Sequence, residues 1–111
     1  TIDCSFIVEA ANGPIVLGAD AILSDRGIIV VPDILANAGG VLVSYFEWAE
    51  TQQRYPWSAD QVKVRLRDRL EKSFYQMTAR SKKESISWRD SAQVVAIERL
   101  AKAAELRGIY P

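Results

Sequence analysis

Two short stretches of this sequence gather the residue types that hold small polar ligands: Glu9-Ala10-Ala11-Asn12-Gly13-Pro14 and Pro32-Asp33-Ile34-Leu35-Ala36-Asn37-Ala38-Gly39-Gly40. Each offers one asparagine among small residues. An amide side chain both donates and accepts hydrogen bonds, so it suits a carboxamide, a ribose hydroxyl or an amino-acid head group. The glycines would let such a ligand approach the backbone closely. The same residues also make ordinary turns, Asn-Gly-Pro in the first stretch and a loop through Asn-Ala-Gly-Gly in the second. The residues alone leave both readings open. Ser44 lies about one helical turn past the second stretch, placed either to meet a carboxylate or to bond back to the preceding turn. If a helix begins near Gly40 and Val41, its free N–H groups add a preference for negative charge.

The carboxylates nearest these stretches are Glu9, Asp33 and Glu47. No local sequence signal pairs any of them with a second titratable group, so none is assigned as a general base and no catalytic residue is assigned. The chain has no histidine, which excludes histidine acid–base chemistry and histidine-ligated metal; no metal ligand is assigned. Neither Gly-x-Gly-x-x-Gly nor Gly-x-x-x-x-Gly-Lys occurs, so a complete dinucleotide site is not encoded here. Cys4 is the only cysteine. It reads as a small apolar residue in a strand, and its solitude fits a reducing compartment. Tyr45, Phe46 and Trp48 read as core or interface residues rather than as a base-stacking platform.

Hydrophobic patterning supplies the elements that must position these residues. Cys4 to Val8 is a short apolar run, read as a buried strand. A helix from about Leu17 to Arg26 should turn Ala19, Ile22 and Leu23 inward and stop at Gly27. Ile28 to Val31 is continuously β-branched, as in a strand buried on both faces, and Pro32 ends it. Strand, helix, strand in this order predicts a right-handed βαβ unit. With parallel strands, both asparagine stretches leave the sheet at its carboxyl edge, where open α/β folds bind ligands.

Beyond Gly40 the pattern is helical: one helix to Gln53 carrying Val41, Val43, Phe46 and Trp48, then a capping box from Ser58 to Gln61. The helix it opens places Val62, Leu66, Leu70, Phe74 and Met77 on one stripe. Arg80 to Ser85 reads as a polar link. A last helix from about Arg89 to Arg107 should bury Val94, Ile97, Ala101 and Ala104, and Arg107 to Pro111 reads as its finished terminus with the stop at Gly108. The predicted fold class is therefore α/β, two parallel strands in a βαβ unit followed by a helical C-terminal region. Two parallel strands are not a self-sufficient sheet, so the sequence reads as part of a larger fold. The absence of Met at position 1 agrees with a boundary inside a longer chain.

The 111 residues match one domain, 49% of them apolar, and 14 basic residues cancel 14 acidic ones. A neutral balance gives no general reason to expect nucleic acid or an anionic membrane as partner. Lys63, Arg65, Arg67, Arg69 and Lys72 form a basic cluster, but Asp60, Asp68 and Glu71 are interleaved with them, as on a solvated helix face. No apolar run reaches the ~18 residues that a membrane span needs, and the first residues do not resemble a signal peptide.

Glu9 to Pro14 and Val31 to Val41 resemble the glutamate, leucine, phenylalanine and valine dehydrogenase family. Val43-Ser44-Tyr45-Phe46-Glu47-Trp48 is similar to its glutamate branch, whereas the other branches diverge after Asn-Ala-Gly-Gly. The final helix, Ala92 to Gly108, resembles the family's C-terminus. The resemblance implies the closing part of a Rossmann-like coenzyme domain, with 1–54 supplying the βαβ unit and the next helix, and 55–111 the C-terminal helices. It implies oxidative deamination of L-glutamate to 2-oxoglutarate and ammonia with NAD or NADP, in a cytoplasmic homo-oligomer, usually a hexamer. Asn12 and Asn37 would then bind the nicotinamide cofactor, and Asn37, Val41 and Ser44 the substrate. The family's catalytic lysines, its aspartate and its Gly-rich coenzyme loop belong to segments outside this chain, which is expected to be inactive alone and to self-associate. One departure is Ile15-Val16, where the family often has two threonines, so any hydrogen bonds from those hydroxyls are missing. A rival reading is a free-standing α/β interaction or regulatory module that has lost the chemistry.

Overall fold

The computed structural model describes residues 2–108, in the order β1 (Phe6–Val8), α1 (Leu17–Asp25), β2 (Ile29–Val31), α2 (Asp33–Ala36), α3 (Gly39–Gln53), α4 (Ala59–Glu84) and α5 (Trp88–Arg107). The two strands pair in parallel, with Phe6 opposite Ile29, Ile7 opposite Val30 and Val8 opposite Val31. The predicted βαβ unit is present. Each strand is shorter than expected: Cys4 and Ser5 lie ahead of β1, and Ile28 ahead of β2. Gly27 takes φ +69°, the left-handed turn between α1 and β2 that favours glycine.

Burial differs from expectation in an informative way. Ile28 is buried, but Phe6 is 59% and Val8 65% exposed. The strands are therefore not covered on both faces; β1 has β2 on one side and no other strand among the described residues. On α1, Leu23 is buried and Ala19 half-buried, whereas Ile22 is exposed. Cys4 is half-buried and free.

The helices pack around Phe46, Met77 and Ala92. Ser58 and Gln61 form the expected capping box, each side chain bonding the other's backbone N–H at 3.3 and 2.8 Å. The apolar stripe of α4 faces inward, Met77 fully and Val62, Leu66, Leu70 and Phe74 in part. The basic cluster of α4 is exposed, with Lys72 bridging Asp68 at 2.9 Å.

Three expectations about the helices need correction. Asp33 to Ala36, read as loop, forms the single turn α2, which is too short to show a helical period. Arg80 to Glu84, read as a polar link, is the last turn of α4, because Arg80 pairs with Glu84 and with Glu98 across on α5. The chain reverses only at Ser85, which is left-handed at φ 55°. Finally, α5 turns a different face inward. Ser91 and Ala92 are buried and Val94, Val95 and Ala96 half-buried, while Ile97, Ala101 and Ala104 are exposed. The hydroxyl of Ser91 donates to the Met77 carbonyl at 2.6 Å, which brings that face against α4. Of the terminal stretch, residues 109–111 lie outside the described residues. No helix of the described residues is long and apolar enough to cross a membrane.

Candidate functional site

Because the strands are parallel, the segments after β1 and β2 leave the same edge. Glu9 extends the ladder by one bond, its N–H donating to the Val31 carbonyl at 3.2 Å. Beyond it the two segments bond to each other through side chains. Asn37 Nδ2 donates to Asn12 Oδ1 at 2.6 Å. The Gly13 N–H donates to Asp33 Oδ2 at 2.7 Å, and the Asp33 N–H donates to Glu9 Oε2 at 2.8 Å. Gly13 has φ +56°, a left-handed conformation that lets the first segment turn across the second. Asn12, Asn37 and Val41 line one open cleft with Ala10 and Ala11, with a volume of about 550 Å³.

The bond between the asparagines does not use up their capacity. Asn12 keeps both amide hydrogens, and Asn37 keeps its carbonyl oxygen and one hydrogen. The pair therefore presents donors and an acceptor to the cleft, the complement of a carboxamide or an amino-acid head group. Val41 adds an apolar side chain to the lining. Ser44 sits one turn further along α3, on the same face as Val41 by its i,i+3 spacing but outside the cleft lining. It is exposed, and its hydroxyl has no hydrogen-bond partner among the described residues, unlike those of Thr51 and Thr78, which bond back to their own helices. Ala38 precedes α3 without a side-chain cap, so its first-turn N–H groups receive no acceptor from the position that normally supplies one.

Behind the cleft stands a group of charges that no local sequence signal revealed. Glu9 is only 2% exposed. Its carboxylate meets the guanidinium of Arg89, 80 positions away, through Nη2 to Oε1 at 2.7 Å and Nη1 to Oε2 at 3.0 Å. Arg89 Nη2 also donates to Asp20 Oδ1 at 3.2 Å, and Asp33 Oδ1 lies 3.8 Å from Nη1. Nε is 3.0 Å from Asp20 Oδ2, an ion-pair distance, although its buried N–H is not aimed at that oxygen. The hydrogen bonds that Arg89 donates to Glu9 and then to Asp20 outweigh the opposing effect of burial and hold its pKa well above the usual value. Asp33 is held below the ordinary carboxylate range, first by the Gly13 N–H, with Ile34 N–H and Arg89 adding to it. Glu9 and Asp33, for which the sequence offered no titratable partner, thus share Arg89. Glu47, the third carboxylate considered, takes no part in this group. The feature that could have prompted a search is Glu9 itself, a charge at the end of an apolar strand, which needs a cation once buried.

The paired amides stand at the carboxyl edge of a parallel βαβ unit, the edge at which open α/β folds bind their ligands. The chain matches the family model described as Glutamate/Leucine/Phenylalanine/Valine dehydrogenase over residues 1–108, and it belongs to that family. Among curated relatives, glutamate dehydrogenase A2 of Halobacterium salinarum is 50% identical over 106 residues, covering 95% of this chain and 26% of that protein. The NAD-specific glutamate dehydrogenase of Staphylococcus aureus is 48% identical over 107 residues, covering 96% of this chain and 26% of that protein. Among solved structures, the hetero-hexameric glutamate dehydrogenase of Thermus thermophilus in its Leu-bound form superposes with a TM-score of 0.91 at 34% identity, over 99% of this chain and 26% of that one. The chain thus spans about a quarter of the length of these relatives.

Proposed function

We propose that this chain forms one wall of the active cleft of an NAD-dependent glutamate dehydrogenase, as the closing portion of its Rossmann-like coenzyme domain. The whole enzyme would convert L-glutamate to 2-oxoglutarate and ammonia, and the bound coenzyme would supply the hydride acceptor. The observation that carries this reading is the Asn37–Asn12 bond at the carboxyl edge of the sheet. Its unused donors and acceptor fit a nicotinamide carboxamide at Asn12 and Asn37, and the amino-acid end of the substrate at Asn37. Val41 contributes apolar wall. The free hydroxyl of Ser44, near the uncapped start of α3, suits the side-chain carboxylate of glutamate.

The Staphylococcus relative's NAD specificity favours NAD as coenzyme. Assembly into a homo-oligomer is part of the proposal: the exposed Tyr45 and Trp48 on α3 and the hetero-hexameric state of the Thermus protein support assembly, and a single kind of subunit is our reading. A cytoplasmic setting is a further part, in keeping with the one free cysteine.

The test is coenzyme reduction by the intact enzyme with L-glutamate and with L-leucine, before and after Ser44→Ala. A hydrogen bond to a charged group contributes about 1.5–3 kcal/mol, so the substitution should lower kcat/KM for glutamate about ten- to a hundredfold. Coenzyme affinity should change little. Preference for leucine, or an unchanged kcat/KM in the variant, would remove the glutamate assignment of this wall.

A further inference from the structure

We propose that Arg89 is a positioning residue for the asparagine pair, acting from behind the cleft through Glu9 and Asp33; the proposal rests on the reading of Asn12 and Asn37 as ligand-binding groups. Three bonds cross between the segment after β1 and the segment after β2: Glu9 to the Asp33 N–H, Asp33 to the Gly13 N–H, and Asn12 to Asn37. Two of the three pass through a carboxylate, and both carboxylates face Arg89. Glu9 is the pivot. One of its oxygens, Oε2, accepts both from Arg89 Nη1 and from the Asp33 N–H, so the direction of the guanidinium fork sets the direction in which Asp33 is pulled. Asp33 in turn holds Gly13, the residue that follows Asn12, and lies four residues before Asn37.

The fork is itself held. Asp20 on α1 takes a second edge of the guanidinium, leaving it little freedom to rotate. A planar guanidinium can bind both oxygens of Glu9 and reach Asp20 at once; an ammonium is a compact charge and cannot reproduce that geometry. Arg89→Lys therefore separates two roles. It keeps a cation beside the buried Glu9, preserving most of the attachment of α5 to the sheet, but it loses the fork that aims Oε2. A residue that only fastens α5 down would tolerate lysine in the cleft. A residue that positions the cleft would not.

The experiment uses the intact enzyme carrying Arg89→Lys and, separately, Glu9→Gln, which keeps side-chain shape and an acceptor for Asp33 while removing the charge. Thermal stability, steady-state kinetics and the crystal structure of each coenzyme-free variant are measured. We expect kcat to fall about ten- to a hundredfold, as displacements near 1 Å do in a reaction governed by alignment. KM for glutamate and coenzyme should change less than about threefold, since the binding groups remain. The crystal structures should show the Asn37–Asn12 hydrogen bond lengthened or broken. Unchanged kcat together with an intact asparagine bond in the folded variants overturns the proposal, as does lost stability with full activity per folded enzyme. If Arg89→Lys does not fold, Glu9→Gln decides by the same outcomes. If the parent enzyme shows no glutamate turnover, the functional reading has failed. The crystallographic distance then still tests the positioning role, with an undisturbed asparagine pair counting against it.

Discussion

Asp33 takes a backbone N–H on each carboxylate oxygen, Gly13 at 2.7 Å and Ile34 at 2.7 Å, with Arg89 nearby. These bonds favour its ionised form, which is why its pKa lies below the ordinary value near 4. A depressed carboxylate contributes stability that is complete above the unfolded-state pKa and is lost as the pH falls through the folded-state pKa. The parent enzyme should therefore be more stable than Asp33→Asn at neutral pH, and the difference should shrink below about pH 4. Urea denaturation of both proteins across that range checks this; a difference independent of pH would mean that the charge of Asp33 adds nothing. Legibility at this scale was uneven. Asn12 and Asn37 were readable as candidates because each follows a strand in a stretch rich in small residues, Val41 entered through the family resemblance, and the three line one cleft. Their role there is proposed. Arg89 was not readable, since it looks like any cation in the first turn of an amphipathic helix, and its partner is 80 positions distant.

Among the elements, those with strong local chemistry were the legible ones. The capping box of α4 was read from Ser58 and Gln61, and both of its bonds are present. Ser58→Ala should lower stability by about 1 kcal/mol, while kcat and KM stay near parent values because neither capping residue lines the asparagine cleft. Equilibrium unfolding alongside kinetics would test this, and a large kinetic loss at unchanged stability would tie the start of α4 to the site. What escaped the sequence was set by tertiary context. The turn α2 has four residues and leans on Pro32, whose carbonyl accepts the N–H groups of Leu35 and Ala36. The end of α4 is prolonged by Arg80 reaching Glu84 and Glu98. On α5 the inward face is displaced because a fully buried serine, not an aliphatic residue, joins it to α4, donating its hydroxyl to the Met77 carbonyl. Small residues permit close helix contact, yet they carry little weight in a hydrophobic pattern.

Taken whole, the chain exposes 8657 Å², whereas a folded monomer of this size exposes roughly 6,100 Å². Its radius of gyration is 16.8 Å, against roughly 13 Å for a compact domain of the same length. The sequence-level expectation that two parallel strands need neighbours has its counterpart in the open faces of Phe6 and Val8. At tens of micromolar the isolated chain should form dimers or larger species, through the free edge of β1 or its exposed apolar faces, with no net charge to oppose contact. Light scattering would measure this, and a monomer with protected amides in both strands would overturn it. The span between Glu9 and Arg89 carries one more implication, for the order of events during synthesis. A ribosome delivers Glu9, both asparagines and α1 long before it reaches Arg89, and closing so long a loop costs chain entropy that shorter contacts avoid. Until α5 emerges, the Glu9 carboxylate has no guanidinium and must stay hydrated. The cleft thus acquires its rear support only once α5 has been made, so that a nascent polypeptide still short of Arg89 carries the asparagines without their brace.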